Sequence, residues 1–434
     1  MTPSGSPAAA SRHPPPLGTA TVVVGTAVLA AFLMVKAMSS FQADSEWHVV
    51  SMLLMFQQGG TFPPNGFLCS YNSCDAYTSQ FGLQGLVFGV LFKIANNVGL
   101  PILLANAKTK QMFGGGPPSL VFTFFVLMKL LITCLAAGVF MFWVTRVHRD
   151  LGRAAAAVAF VAIAASPLIG GFSGNLYWVG ITLFLPFIAA WCLAPGSVGD
   201  VRRARTLAFW VGFFVFLKSM CGYEFLSNVV LAAMVPVVFF GLREGAAPQR
   251  VLAACIRIGL ASTVGFIVAV VLHVVSMSRG LTIGQGLEII KGRAAFRMVG
   301  NDSAPWPEVG AVAANYLNQM VLALPGGRLG VPLWLFLIAV VLVLVWGAMR
   351  ARRLAARPAP RWYHTAPGAA TAGMLAALIA SASWLLPGYQ HTMVHAHMNL
   401  ILVYLPLVPA LAAMIPGLVK LGDPLAWRPV PGNA

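Results

Sequence analysis

What most limits the fold of this chain is a succession of apolar runs, each about 20 residues long, separated by short arginine-bearing loops. Thr19–Met38, Ser119–Val144 and Val251–Ser276 are examples. A run of that length is what an α-helix needs to cross a hydrocarbon core about 30 Å thick. Only 9% of residues are charged and 59% are hydrophobic, against roughly 25% charged in a soluble domain. Such a chain has too little polar surface to bury these runs in one water-facing core. In lipid every backbone polar group must be satisfied internally, which selects helices. The expected fold class is therefore all-α: a polytopic transmembrane helical protein.

The formal net charge is +17. Most of the arginine lies in short loops between apolar runs, where it sets membrane orientation. No basic domain stands outside the membrane, so the charge does not point to a nucleic-acid partner. It suits membrane lipids with anionic headgroups and phosphates.

Loop charge also decides one ambiguous segment. Gly82–Ala105 is apolar enough to span but is interrupted by Lys93, Asn96, Asn97 and Pro101. With the N-terminus in the cytoplasm, a span here would put Arg146–Arg153, Arg202, Arg203, Arg205, Arg243, Arg250 and Arg350–Arg361 outside. That reverses the positive-inside rule throughout. Placing Gly82–Ala105 on the outer surface or as a re-entrant segment returns all of them to the cytoplasm.

The remaining spans are then Ala154–Gly171, Tyr177–Ala194, Thr206–Met220, Phe225–Leu242, Val251–Ser276, Val331–Met349, Gly368–Leu386 and Met398–Leu418. With Thr19–Met38 and Ser119–Val144 that makes about ten spans. Thr19–Met38 is read as a retained span, since it is long for a signal segment and no small-residue cleavage site closes it. Residues 1–18 and 419–434 form cytoplasmic tails around a single membrane domain, 19–418. Residues 39–118 and 277–330 are long extracytoplasmic loops. Asp44–Gln57, with Trp47, Val50, Leu53 and Phe56, reads as a short interfacial helix.

This topology gathers polar and titratable residues on the outer face: Asp44, Glu46, Asp75, Asn175, Tyr177, Tyr223, Glu224, Glu288, Asp302, Glu308, His391, His395 and His397. Concentration on one face predicts a binding or catalytic site there. Asp44 and Glu46 directly follow the first span. A carboxylate there can take a proton from a hydroxyl as general base. In an extended stretch the two would share a face and could hold a hard cation such as Mg or Mn. The structural alternative is Asp44 as a helix N-cap with Glu46 in the first turn.

Three of the eight histidines, His391, His395 and His397, fall close together. They suit phosphate binding or proton transfer better than zinc, because no cysteine partner or metalloprotease pattern accompanies them. Lys218 lies one turn before Tyr223-Glu224 and is a structural ion-pair candidate as well as a ligand candidate. Lys36 can snorkel toward Asp44, whereas Lys129 has no obvious partner and is a functional candidate. In the second long loop, Lys291, Arg293 and Arg297 lie on an amphipathic segment. They can attract lipid headgroups or grip a lipid-linked phosphate. Of six cysteines, Cys69 and Cys74 share a polar loop and are a candidate disulfide in an oxidising compartment.

The layout resembles the GT-C superfamily of integral-membrane glycosyltransferases, which use polyprenyl-phosphate-linked sugars. Asp44-Ser45-Glu46 stands where the acidic motif of that superfamily opens the first outer loop. The segment Tyr77–Gln84 is similar to the place where that loop meets its second surface helix. Tyr223-Glu224 and the His391, His395, His397, Asn399 pattern are similar to motifs of bacterial membrane proteins of this type. The resemblance implies a site on the extracytoplasmic face of a bacterial inner (plasma) membrane. It implies transfer of a sugar from a polyprenyl-phosphate-linked donor to a glycan or lipid-linked acceptor. Asp44 would be the base, with Glu46 assisting. Asn175, Tyr177, Lys218, Tyr223, Glu224, Arg293, Arg297 and the three histidines would bind substrate. A soluble C-terminal domain of the oligosaccharyltransferase kind is missing, which argues against a protein acceptor. A secondary transporter or lipid flippase, and an O-antigen-ligase-like enzyme, are the alternative expectations.

Overall fold

The computed structural model describes residues 15–39, 43–70, 75–99, 120–298, 306–323, 330–355, 361–385, 387–388, 392 and 398–419. It is 78% helical with almost no strand, so the all-α fold class holds. The exception is a small antiparallel pair, β1 (Met320–Ala323) in what was read as a loop and β2 (Gly330–Pro332) at the start of the expected span Val331–Met349.

The helices in chain order are α1 (Thr19–Ser39), α2 (Ala43–Gln57), α3 (Leu83–Asn97), α4 (Leu120–Leu151), α5 (Arg153–Ala164) and α6 (Pro167–Ser173). Next come α7 (Ile181–Leu193), α8 (Val201–Cys221), α9 (Leu226–Arg243), α10 (Pro248–Met277), α11 (Ile283–Met298) and α12 (Trp306–Asn318). The chain continues with α13 (Leu333–Ala355), α14 (Ala366–Ala382), α15 (Ile401–Tyr404) and α16 (Leu407–Val419). Several starts follow from local chemistry. Ser166 and Thr365 cap α6 and α14 by accepting from Ile169 N and Gly368 N, with proline in the first turn of each. The Asp200 carboxylate accepts from Arg202 N and Arg203 N at the start of α8. Each engages amide donors that a helix start leaves open.

Among the described residues, α1, α4, α8, α9, α10 and α13 are long and apolar enough to cross a bilayer. Ile181–Leu193, Ala366–Ala382 and Ile401–Pro416 are apolar but shorter. The expected straight span Ala154–Gly171 is instead broken: α5 and α6 meet at 68°. Ser166-Pro167 causes the break, because proline removes an amide donor and disfavours helix in the residue before it. The membrane-facing character is plain on α10, where Leu252, Ile256, Leu260, Val264, Ile267, Val271 and Val275 are exposed. An apolar stripe of that length needs lipid rather than water, and the protein is membrane-embedded.

Small residues set the closest helix approach. A methyl group at Gly265 of α10 would lie 2.4 Å from the Gly212 carbonyl oxygen of α8. Such glycine crossings bring backbones together where lipid gives no hydrophobic drive for association. An aromatic core of Phe140, Trp143, Phe184, Phe187, Trp191, Phe239 and Phe240 fills the centre between α4, α7 and α9.

The bundle has two chemically different ends. At one, Arg146 Nη2 donates to Cys192 O at 2.8 Å and Arg243 Nη1 to Asp150 O at 3.2 Å. There Gly196 N donates to the Glu244 carboxylate at 2.9 Å, and His364 Nδ1 donates to Leu242 O at 3.0 Å. Lys129 is seventeen residues from Arg146 along α4, about 25 Å at 1.5 Å per residue, and belongs to the other end. Arg146 and Arg243, with the connections they brace, thus lie away from Glu46, Lys129 and Glu224, whereas Arg279 packs on the loop between α2 and α3.

Of the two short helices read as surface elements, only α2 departs from expectation. Leu83–Asn97 is a separate helix outside the set long enough to span, packed against α2, α4 and α8. The α2 helix does not rest on lipid by one apolar face. Val49, Val50, Met52, Leu53 and Phe56 are buried along with Ser45, Glu46 and His48. It is wedged between α3 and α4, and glycines allow this: a methyl at Gly89 would lie 2.5 Å from the Phe56 ring and 2.8 Å from Phe62.

Candidate functional site

The α2 helix sets the geometry. Positions 44 and 46 are helical, so they point about 200° apart, and the extended arrangement with a shared face does not form. Because the helix begins at Ala43, Asp44 falls inside the first turn rather than ahead of it as a cap. The Asp44 side chain lies outside the described residues. Glu46 turns into the bundle, where it is 1% exposed. Lys129 Nζ of α4 donates to both carboxylate oxygens, at 3.0 and 3.1 Å, and is itself 1% exposed. Leu176 N donates to the same carboxylate at 3.2 Å. Glu46 is therefore the partner that Lys129 lacked on sequence alone.

These contacts bear on the suggested cation at Asp44 and Glu46. A cation there would have to displace an ammonium group already seated on both Glu46 oxygens. The two positions also diverge around the helix. The donor set does not fit a bridging cation, and no step below uses one.

Two residues later on α2, the His48 ring lies against the loop between α2 and α3. His48 Nδ1 is 2.9 Å from Cys69 O. A carbonyl only accepts, so this nitrogen carries the proton. The ring stacks on Tyr77 with centroids 3.9 Å apart, and the Tyr177 hydroxyl donates to the Tyr77 hydroxyl at 3.0 Å. The loop is held by a backbone pairing of Cys69 with Ala76. Cys69 is buried with its Sγ 3.9 Å from Met55 Sδ. Cys74 lies outside the described residues, and with it the suggested disulfide.

Asn175 and Tyr177 sit where the sequence suggested, at the turn between α6 and α7. The Asn175 side-chain oxygen accepts from Tyr177 N at 3.0 Å and Trp178 N at 2.8 Å. That turn aims Leu176 N at Glu46. Gln84 of α3 joins this half of the site to the next, with Nε2 donating to Tyr177 O at 2.7 Å and Cys221 O at 3.2 Å. There Lys218 donates to Gly222 O at 2.6 Å. Lys218 and Glu224 are both buried beside Gly222, with Gln80. The Tyr223 hydroxyl and His273 Nδ1 share a hydrogen bond of 2.9 Å.

Backbone strain marks the same two turns. Among the described residues, Val179 and Phe225 are the non-glycine residues with positive φ, 44° and 61°. One follows Tyr177-Trp178 and the other Glu224. Positive φ in a β-branched or bulky residue costs about 1–3 kcal/mol and tends to be kept where a site requires it.

Lys36 does not simply snorkel. Its Nζ donates to Ala164 O at 3.0 Å and Ser166 O at 2.8 Å, closing the carbonyls left open at the α5–α6 break. A methyl at Gly170 would lie 2.5 Å from Lys36 Cδ, so glycine makes room for the stem. Arg279 ties the loop between α2 and α3 to the end of α10. Its guanidinium is 4.6 Å from the Phe67 ring centroid, and it donates to Ser276 O and Gly66 O.

The structure thus brings Glu46, Asn175, Tyr177, Lys218, Tyr223 and Glu224 into one layer. It does not bring in Arg293, which is exposed on α11 and makes no hydrogen bond or ion pair among the described residues. His391, His395, His397 and the Arg297 side chain lie outside the described residues. Residues missing from the sequence-derived set are His48, Tyr77, Gln80, Gln84 and His273. Their sequence signal was weak: single polar residues at apolar boundaries, two of them glutamines in the Tyr77–Gln84 segment. No protein-family model matches this chain, nor does any curated protein or solved structure.

Proposed function

We propose that the chain is an integral-membrane glycosyltransferase acting at the extracytoplasmic face of a bacterial inner membrane. It has about ten spans and cytoplasmic termini. The observation that carries this reading is the continuous buried polar layer from Glu46 and Lys129 through Gln84 to Lys218 and Glu224. It lies at the end of the bundle away from Arg146 and Arg243. Buried charge in a membrane bundle is costly and is retained where it acts.

In this reaction a hydroxyl oxygen of a glycan or lipid-linked acceptor attacks the anomeric carbon of a polyprenyl-phosphate-linked sugar. The bond from that carbon to the phosphate oxygen breaks, and polyprenyl phosphate leaves. Asp44 takes the hydroxyl proton, and one base with direct displacement gives inversion. Glu46 holds α2 against α4 through Lys129 and thereby positions Asp44. Asn175, Tyr177, Lys218, Tyr223 and Glu224 face the substrates. His391, His395, His397, Arg293 and Arg297 stabilise charge developing on the phosphate.

A transporter or flippase is the second reading, favoured by charges on α2, α4 and α8 that are 1–2% exposed. The test is incubation of purified protein with a labelled polyprenyl-phosphate sugar and a crude acceptor fraction. Release or transfer of label by the native chain, lost in Asp44→Ala with folding intact, supports the enzyme. Intact donor together with its movement across sealed vesicles supports the transporter and overturns the enzyme.

A further inference from the structure

The polar layer contains a side chain with chemistry left over. Gln80 is 1% exposed, yet among the described residues neither its amide nitrogen nor its amide oxygen has a hydrogen-bond partner. Gln84 Oε1 is likewise buried without one, although Gln84 Nε2 is fully engaged. A buried amide with both functions unmet is strongly disfavoured unless something arrives to meet them.

The surroundings say what that would be. Gly222 presents bare backbone to Gln80. A methyl there would lie 2.8 Å from Gln80 Oε1, 2.5 Å from Glu224 Oε2 and 3.6 Å from Lys218 Nζ. An amide, a carboxylate and an ammonium therefore crowd the bare backbone of Gly222 too closely for a methyl to fit, so a ligand hydroxyl reaches them only as these flexible side-chain ends shift to receive it. The carboxylate disfavours an anion and the ammonium disfavours a cation. An amide that both donates and accepts matches a hydroxyl, which does the same. Tyr223 and Phe225 add aromatic surface in the adjoining turn.

We propose that Gln80, with Gln84, Glu224 and the bare edge of Gly222, forms a subsite for the hydroxyl groups of a neutral sugar. It rests on the glycosyltransferase reading only for the source of that sugar, the lipid-linked donor or the acceptor glycan. Gln80 reads the ring hydroxyls rather than the lipid or the phosphate, so a donor lacking a sugar gains nothing from it.

The test is equilibrium binding to the full chain in lipid nanodiscs, followed by tryptophan fluorescence and thermal unfolding. The probes are polyprenyl monophosphate, a polyprenyl-phosphate-linked monosaccharide and the free methyl glycoside. Two variants disturb the niche from opposite sides, Gln80→Met and Gly222→Ala. Each should weaken both sugar probes about tenfold, the loss of two neutral hydrogen bonds, and leave polyprenyl monophosphate within about twofold. Gln80→Met should also raise the thermal midpoint of the ligand-free protein, since an unmet amide becomes an apolar side chain. A donor source shows the larger loss on the lipid-linked sugar, and an acceptor source the larger loss on the methyl glycoside. The inference is overturned if Gln80→Met binds both sugars as the native chain does. It is also overturned if all three probes weaken in parallel, or if the native chain binds no sugar probe. Sugar binding that depends on Gln80 in a protein without transferase activity would sink the catalytic reading alone.

Discussion

Breaking the Glu46–Lys129 pair from the lysine side is the sharpest perturbation the structure offers. At 3.0 Å, an effective dielectric near 20 gives an attraction of roughly 5.5 kcal/mol. Desolvation of two ions costs several kcal/mol each, so the intact pair nets close to zero. Lys129→Met removes the attraction but leaves the Glu46 carboxylate buried without its countercharge, with the Leu176 N hydrogen bond retained. The expected loss is about 3–5 kcal/mol. Glu46→Gln alone should cost a similar amount by removing the countercharge from a buried ammonium. The double variant Glu46→Gln with Lys129→Met leaves no charge and keeps an acceptor for Leu176 N. It should recover most of the loss, with a coupling energy of at least about 2 kcal/mol. Unfolding of the four proteins in mixed micelles, titrated with a denaturing detergent, measures the cycle. Single variants each costing under about 1 kcal/mol, or losses that add to within about 0.5 kcal/mol, would refute the reasoning.

Gly85→Ala should destabilise by about 1–3 kcal/mol, because a methyl there would lie 2.1 Å from the rigid Phe67 carbonyl oxygen. Thermal unfolding of the purified variant checks it. Glu244, at the opposite end, has its carboxyl pushed above the usual range by burial, against the opposing hydrogen bond from Gly196 N and the charges of Arg243 and Arg203. A raised folded-state value means the contribution is complete below the ordinary carboxylate range and is lost as pH rises through the raised value. Stability measured from acid to neutral pH should therefore decline more in the native chain than in Glu244→Gln; identical slopes would count against it. For topology, a compartment-sensitive reporter inserted after Gly245 should report cytoplasm and one inserted after Gly59 the outer compartment. The same side for both would undo the orientation.

The all-helical, membrane-embedded class was readable because it depends only on length and polarity. Gly82–Ala105 illustrates the reasoning: loop charge argued against a span there, and its described part holds the helix Leu83–Asn97, which falls outside the set long enough to span. The break at Ser166-Pro167 was visible in the residues, but the surrounding apolar run masked it. What was not readable was which helices are neighbours. Glu46 and Lys129 are 83 residues apart, and a single sequence says only that an intramembrane lysine needs a partner. Glu46 was accordingly read as an assistant to the base, a cation ligand or a helix-start charge, whereas in the fold its carboxylate is paired with Lys129 of α4. The glutamines escaped for a different reason. An uncharged amide in an apolar segment has no sequence signature, and only packing reveals that Gln80 is buried beside Gly222.

In the proposed function, Asp44 of the acidic motif does the chemistry and Glu46 holds it in place. The most direct test compares turnover of a labelled polyprenyl-phosphate sugar by three proteins: the native chain, Asp44→Asn, and Glu46→Gln combined with Lys129→Met. The prediction is that Asp44→Asn loses about 10²–10⁴-fold in turnover, as expected for removal of a general base. The paired variant should stay within about tenfold of native, since its docking is rebuilt without charge. Near-native turnover by Asp44→Asn, or abolition of turnover only in the paired variant, would contradict the assignment of Asp44 as the base.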